Sequence, residues 1–130
     1  MPNAADDDLL AAARAARGGA YAPYSKFPVG AALRCADGTI VTAANVENAS
    51  YGLSMCAERV ALFAAVAAGH RTFEAIAIVA ADGVDASPCG ACRQVLNEFG
   101  GRLRVLFGSR AAWLDELLPS AFDGSLLTRG

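Results

Sequence analysis

Two short cysteine-bearing segments constrain this chain more than any other feature: Cys56-Ala57-Glu58, and Pro88-Cys89-Gly90-Ala91-Cys92. Each stands where a helix should begin, so the fold must bring two helix starts to one point. A cysteine in that position lies beside backbone N–H groups that have no intrahelical partner, at the positive end of the helix dipole, which favours thiolate over thiol. Cys89 and Cys92 are three apart, a spacing that lets both reach one ion. Three thiolates suit one Zn²⁺ per chain and leave its fourth tetrahedral position to water, with the Glu58 carboxylate near enough to move that water's protons. The pattern is therefore that of a hydrolytic site. Three sulfurs outweigh the metal's charge, and Arg59 or Arg93, each next to a motif residue, is placed to compensate; Arg59 is the preferred partner.

At 130 residues the chain is long enough for one domain with a single core, expected to span residues 1–130. Charged residues make up only 18%, below the usual quarter, which fits a surface partly covered by other subunits. A formal charge of −2 leaves no basic stripe to neutralise a phosphate backbone, so a nucleic-acid partner is disfavoured. Asp6, Asp7 and Asp8 stand where an export signal needs positive charge, and the alanine-rich stretch 60–68 is far shorter than the roughly twenty residues that cross a bilayer. A soluble, cytoplasmic protein without a membrane partner is the expectation. Four cysteines then read as reduced thiols available to a metal.

The acidic run at 6–8 predicts the start of a first helix over 9–17, stopped by Gly18-Gly19. Proline-flanked residues 20–28 predict an ordered loop. Residues 29–35 and 39–46 flank Ala36-Asp37-Gly38 and predict an antiparallel hairpin. A second helix over 55–68, capped by Ser54 or a neighbour, is apolar nearly all round and is expected in the interior. A buried strand follows at 73–80, then a loop at 81–86. Ser87-Pro88 reads as N-cap and first residue of a third helix reaching 99. A strand at 103–107 and a short helix at 113–118 complete a layered α/β domain.

These motifs, together with Tyr24-Ser25-Lys26-Phe27-Pro28-Val29-Gly30-Ala31-Ala32, Asn45-Val46-Glu47-Asn48-Ala49-Ser50-Tyr51-Gly52 and Glu116-Leu117-Leu118-Pro119-Ser120-Ala121-Phe122, resemble the small zinc cytidine deaminases over essentially the whole chain. The resemblance implies a three-layer α/β/α cytidine deaminase-like fold with a central mixed sheet of about five strands. It also implies hydrolytic deamination of free cytidine and deoxycytidine to uridine and deoxyuridine, with release of ammonia, in pyrimidine salvage. Glu58 would be the acid and base, Asn45 and Glu47 would hold the ribose hydroxyls, Phe27 would pack on the base, and the Ala57 backbone would meet the pyrimidine edge. The family is typically homotetrameric, with Ala49, Tyr51 and Phe122 contributing to neighbouring sites. One departure is the segment Ser109-Arg110-Ala111-Ala112-Trp113, which replaces the longer hairpin of some members.

Two other readings stand beside this one. A deaminase of the nucleoside antibiotic blasticidin S shares the zinc motif, and Asn45-Val46-Glu47-Asn48 argues for a ribose instead. A closed structural site would need Cys35 as a fourth ligand, but Cys35 falls inside an expected strand without a partner motif. His70 reads as a surface residue with no assigned function.

Overall fold

The computed structural model describes residues 3–127. Five strands, β1 (Gly30–Cys35), β2 (Ile40–Ala44), β3 (Phe73–Val79), β4 (Arg104–Phe107) and β5 (Arg110–Trp113), form one sheet in the order β2-β1-β3-β4-β5. Four helices accompany it: α1 (Ala4–Ala16), α2 (Ala57–Ala67), α3 (Gly90–Asn97) and α4 (Leu114–Leu117). β1 lies antiparallel to both β2 and β3, and β4 is antiparallel to β5. The parallel β3–β4 pair needs a crossover, which the segment carrying α3 supplies.

Period-two alternation sorts the side chains into two layers. Ala32, Ala75, Ala77, Val79 and Leu106 face α1, which offers Leu9, Leu10 and Ala13. Ala31, Leu33, Ile76, Ile78, Val105 and Phe107 face the opposite layer, where α2 contributes Ala57, Ala61, Leu62 and Ala65, and α3 contributes Leu96. The sheet is thus covered on both faces, as the three-layer expectation requires. Small residues on the α1 side permit close contact. At Gly30 a Cβ would come within 2.0 Å of the Ala13 carbonyl oxygen, so only glycine lets the end of α1 approach β1.

Several boundaries differ from the sequence reading for local reasons. α1 begins at Ala4, two residues before the acidic run expected to open it, because Asn3 forms a capping box with Asp6: Asn3 Oδ1 accepts from the Asp6 N–H and Asp6 Oδ2 from the Asn3 N–H, each at 3.0 Å. Ser54 does not cap α2, and Ser87 does not cap α3. The N-cap positions belong to Cys56 and Cys89, neither of whose side chains makes a capping bond. Ser54 Oγ instead accepts from the Asn48 N–H at 3.0 Å, and Ser87 Oγ accepts from Arg93 at 2.8 Å. α2 is also less interior than its composition suggests. The sheet covers one side of it, and Phe63, Ala64 and Ala67 remain exposed on the other in the single chain. The shortened segment at 109–113 does form a strand, β5, joined to β4 by the two-residue turn Gly108-Ser109.

Candidate active site

The crossover places the starts of α2 and α3 side by side on one face of the sheet. Cys56 and Cys89 are the N-caps, with extended backbones (φ −70°, ψ 150° and φ −66°, ψ 166°), while Cys92 sits in the first turn of α3. Their Sγ atoms lie within 4.8 Å of one another, with Cys56–Cys89 at 4.0 Å and Cys89–Cys92 at 3.3 Å. Zn–S bonds of about 2.3 Å in a tetrahedral site require sulfurs about 3.8 Å apart, so this trio is on the right scale. All four cysteines are free thiols, and Cys35 is not part of the trio. Cys35 is buried in β1, where it clusters with Asp37 and His70; the His70 Nδ1 stands 3.8 Å from Asp37 Oδ2.

Electrostatics around the sulfurs fit a bound cation. Cys56 is pulled down to about 5 by the hydrogen bond it receives from Cys92 and, against the effect of burial, by Arg59. Cys92 is pushed up, first by that same bond, then by burial and the Glu58 charge, so without metal it remains the thiol that donates to the Cys56 sulfur. Arg59 Nη2 donates to Cys56 Sγ at 3.5 Å, and its buried Nε has no hydrogen-bond partner among the described residues. The donors of Arg93 go elsewhere: Nε to the Pro88 carbonyl, Nη1 to the Leu117 carbonyl and Nη2 to Ser87 Oγ, each at 2.8 Å. An electron-rich sulfur trio with uncapped helix starts and an adjacent guanidinium matches the donor set of a thiolate-bound zinc.

Glu58, in the first turn of α2, is one of two buried charged residues among those described, at 5% exposure. Burial raises its pKa, and the negative Cys56 sulfur raises it further. A carboxyl group shifted upward in this way is suited to trading protons near neutrality. Above it opens a cleft of ≈ 210 Å³, lined by Phe27, Asn45, Cys56, Glu58, Ser87 and Cys89 among others.

Residues 3–109 match the family described as the cytidine and deoxycytidylate deaminase zinc-binding region. The chain belongs to that deaminase family. It is 48% identical over 123 residues to the cytidine deaminase of Sporosarcina psychrophila, covering 90% of each chain. It is 46% identical to the cytidine deaminase of Mycobacterium tuberculosis, over 94% of this chain and 92% of the relative. The crystal structure of cytidine deaminase from Burkholderia pseudomallei superposes with a TM-score of 0.85 at 52% identity, covering 89% of this chain and 98% of that one.

Within this deaminase-family fold, the other expected residues fall into three groups. Phe27, Asn45 and Ala57 join Glu58 in the cleft. Asn45 also holds the cleft's lip: its Oδ1 accepts from the Val29 N–H at 2.9 Å and its Nδ2 donates to the Phe27 carbonyl at 3.0 Å. Glu47 lines an adjoining groove of ≈ 330 Å³ with Tyr24, Ser25, Tyr51 and Ser54. Its Oε1 accepts from the Tyr24 and Ser25 N–H groups at 3.0 and 3.1 Å, and its Oε2 accepts from Ser25 Oγ. These bonds, the Ser25 hydroxyl foremost, hold its carboxyl below the usual range. Ala49, Tyr51 and Phe122 are exposed, and none of them lines the cleft that holds Glu58. The role of Ser25 is invisible in the sequence; the motif around it marks the loop, but nothing in it points to the Glu47 carboxylate in the segment after β2. Ser87 was read as a cap and turns out to line the cleft.

Proposed function

We propose that this protein hydrolyses free cytidine and deoxycytidine to uridine and deoxyuridine with release of ammonia, in pyrimidine salvage. The observation that carries the reading is Glu58: a buried carboxyl with a raised pKa, two residues from a sulfur of the Cys56–Cys89–Cys92 trio, lining a cleft of ≈ 210 Å³ together with Phe27 and Asn45. Zinc held by those three sulfurs would supply Lewis-acid activation of water. The Glu58 carboxylate takes one proton from the attacking water and delivers it to N3 of the pyrimidine as the C4–O bond forms; it then takes the remaining hydroxyl proton and passes it to the amine, and the C4–N bond breaks to leave the C4 carbonyl and ammonia. Phe27 offers its face to the base, and the backbone of Ala57 meets the pyrimidine edge. Asn45 retains a free amide proton after bonding Phe27, and Glu47 is ionised and held in place, which suits both to the ribose hydroxyls. Arg59 offsets the charge of the sulfurs.

The domain is taken as 1–130; residues 1–2 and 128–130 lie outside the described part. The working unit is a homotetramer in which Ala49, Tyr51 and Phe122 complete neighbouring sites, in support of which Tyr51, Leu53, Phe63 and Phe122 leave apolar surface exposed in the single chain. A cytoplasmic setting agrees with four free thiols, and no helix among the described residues is long and apolar enough to cross a membrane.

The test is a spectrophotometric assay of the zinc-loaded protein with cytidine, deoxycytidine and blasticidin S. Turnover of the two nucleosides is expected. Turnover of blasticidin S alone would replace this reading by the antibiotic deaminase. Glu58→Gln should keep its zinc and fold yet lose at least about 100-fold in kcat, because an amide cannot carry the proton; near-normal kcat would remove Glu58 from its role.

A further inference from the structure

The shortened hairpin at 108–109 meets the cleft through one carboxylate. Asp85, in the loop between β3 and α3, accepts from the Ser109 N–H at 2.9 Å through Oδ1, and from Ser109 Oγ at 3.3 Å (Oδ1) and 3.1 Å (Oδ2). The approach is so close that a Cβ on Gly108 would lie 2.0 Å from Asp85 Oδ1; Gly108 also has φ +66°, so glycine is required there twice over. Just beyond Asp85, Ala86 and Ser87 form one wall of the cleft, and Cys89 follows. The Ser87 N–H donates to the Asp85 carbonyl at 3.1 Å, which transmits the position of Asp85 to that wall. Arg93 secures the other end of the strip through Ser87 Oγ and the Pro88 carbonyl. Residues 86–88 are therefore strung between two anchors, one on the β4–β5 turn and one on α3.

We infer that Asp85 is a positioning residue for the deamination: by tying the loop to Ser109 and the Gly108 turn, it holds the Ala86–Ser87 wall at the spacing that grips the pyrimidine nucleoside. The inference rests on the proposed cytidine reading for its kinetic consequence, but the tie itself is a property of the zinc-loaded protein without substrate. Because Asp85 touches neither the sulfurs nor Glu58, its loss acts on binding. The wall loosens, while the proton path and the metal ligands stay in place.

The experiment compares Asp85→Ala, Asp85→Asn and Gly108→Ala in the zinc-loaded protein, by cytidine kinetics, zinc content and amide hydrogen exchange over 86–89. Asp85→Ala should raise KM by about 5–20-fold with kcat changed less than about threefold, consistent with loss of binding alone. Its zinc should stay stoichiometric while exchange at Ala86 and Ser87 quickens. Asp85→Asn should restore near-normal KM and exchange, since its amide oxygen still accepts from the Ser109 N–H. Gly108→Ala should mimic Asp85→Ala by pushing the carboxylate away. An unchanged KM in Asp85→Ala, a fall in kcat alone, or an Asn variant as impaired as Ala would overturn the inference. If the parent protein leaves cytidine untouched, the functional reading fails on its own; faster exchange at Ala86 and Ser87 in Asp85→Ala then still supports the tie, and unchanged or slower exchange there would sink it.

Discussion

Arg59 donates to the Cys56 sulfur while its buried Nε has no partner among the described residues, so its guanidinium is committed to the sulfur trio even though α2 leaves other residues to solvent. Removing it withdraws both a hydrogen bond and a positive charge from a thiolate. Arg59→Gln should therefore weaken zinc binding by about 10–100-fold, measured by competition with a chelator, in line with the loss of an outer hydrogen-bond partner at a metal ligand. The metal-free protein offers a second readout. Cys56 is held at about 5, so one thiolate should already absorb in the ultraviolet at neutral pH and be lost on titration through that value. In Arg59→Gln that titration should move upward, because both the bond and the charge that favour the thiolate are gone. A titration that stays in place would show that Cys92 alone holds the Cys56 charge. Arg59 and Arg93 each stand next to a motif residue in the sequence, and only the hydrogen bonds each makes in the fold separate them. Arg93 turns toward Ser87, Pro88 and Leu117, and spends its donors on carbonyls and a hydroxyl.

Among the elements, α1 is fastened to the sheet by a charge as well as by leucines. Asp6, 3% exposed, receives Arg104 Nη2 from β4 at 2.9 Å while completing the capping box with Asn3. Burial opposes its ionisation, yet the bonds from Arg104 and the Asn3 N–H, with Arg34 nearby, outweigh that and bring its pKa below the ordinary carboxylate value. The folded pKa is thus lower than the unfolded one, and in acid the unfolded chain binds the extra proton. The stabilisation is complete above the unfolded pKa of about 3.9 and is lost as pH falls through the folded value. Asp6→Asn should cost about 1–3 kcal/mol at neutral pH. The gap between its urea midpoint and that of the parent should hold steady down to about pH 5 and close below about pH 4. A gap independent of pH would mean that shape, not charge, carries the contact. The sequence placed negative charge at the start of this helix but set the start too late. Asn3 as cap and Asp6 as its reciprocal partner form a four-residue pattern that the three consecutive aspartates obscured.

For the molecule as a whole, the cleft of one chain is lined by Phe27, Asn45 and Glu58, while Tyr51 at 75% and Phe122 at 55% exposure are not among its lining residues. An exposed aromatic in a motif is explained if a neighbouring subunit's site receives it. Sedimentation should accordingly find a tetramer, and Phe122→Ala should lose most activity without losing zinc. Mixing Phe122→Ala with Glu58→Gln after reversible dissociation should restore part of the activity, because hybrids pair an intact Glu58 with a neighbour's intact Phe122. No recovery in verified hybrids would remove Phe122 from the shared site. The low charge content and the alternation of apolar residues were legible because burial leaves its period in the sequence. By itself the sequence determined the three thiolates, the carboxyl two residues from the first of them, and the layered α/β order, since residue type and short spacing are local quantities that survive in a one-dimensional string. Only the tertiary structure decided that the cysteines themselves occupy the N-caps, that Ser25 holds Glu47, that Arg59 serves the sulfurs, and that the short β4–β5 turn grips Asp85 beside the cleft. Each of those depends on which donors meet which acceptors after distant segments close on one another, and sequence spacing does not encode that encounter.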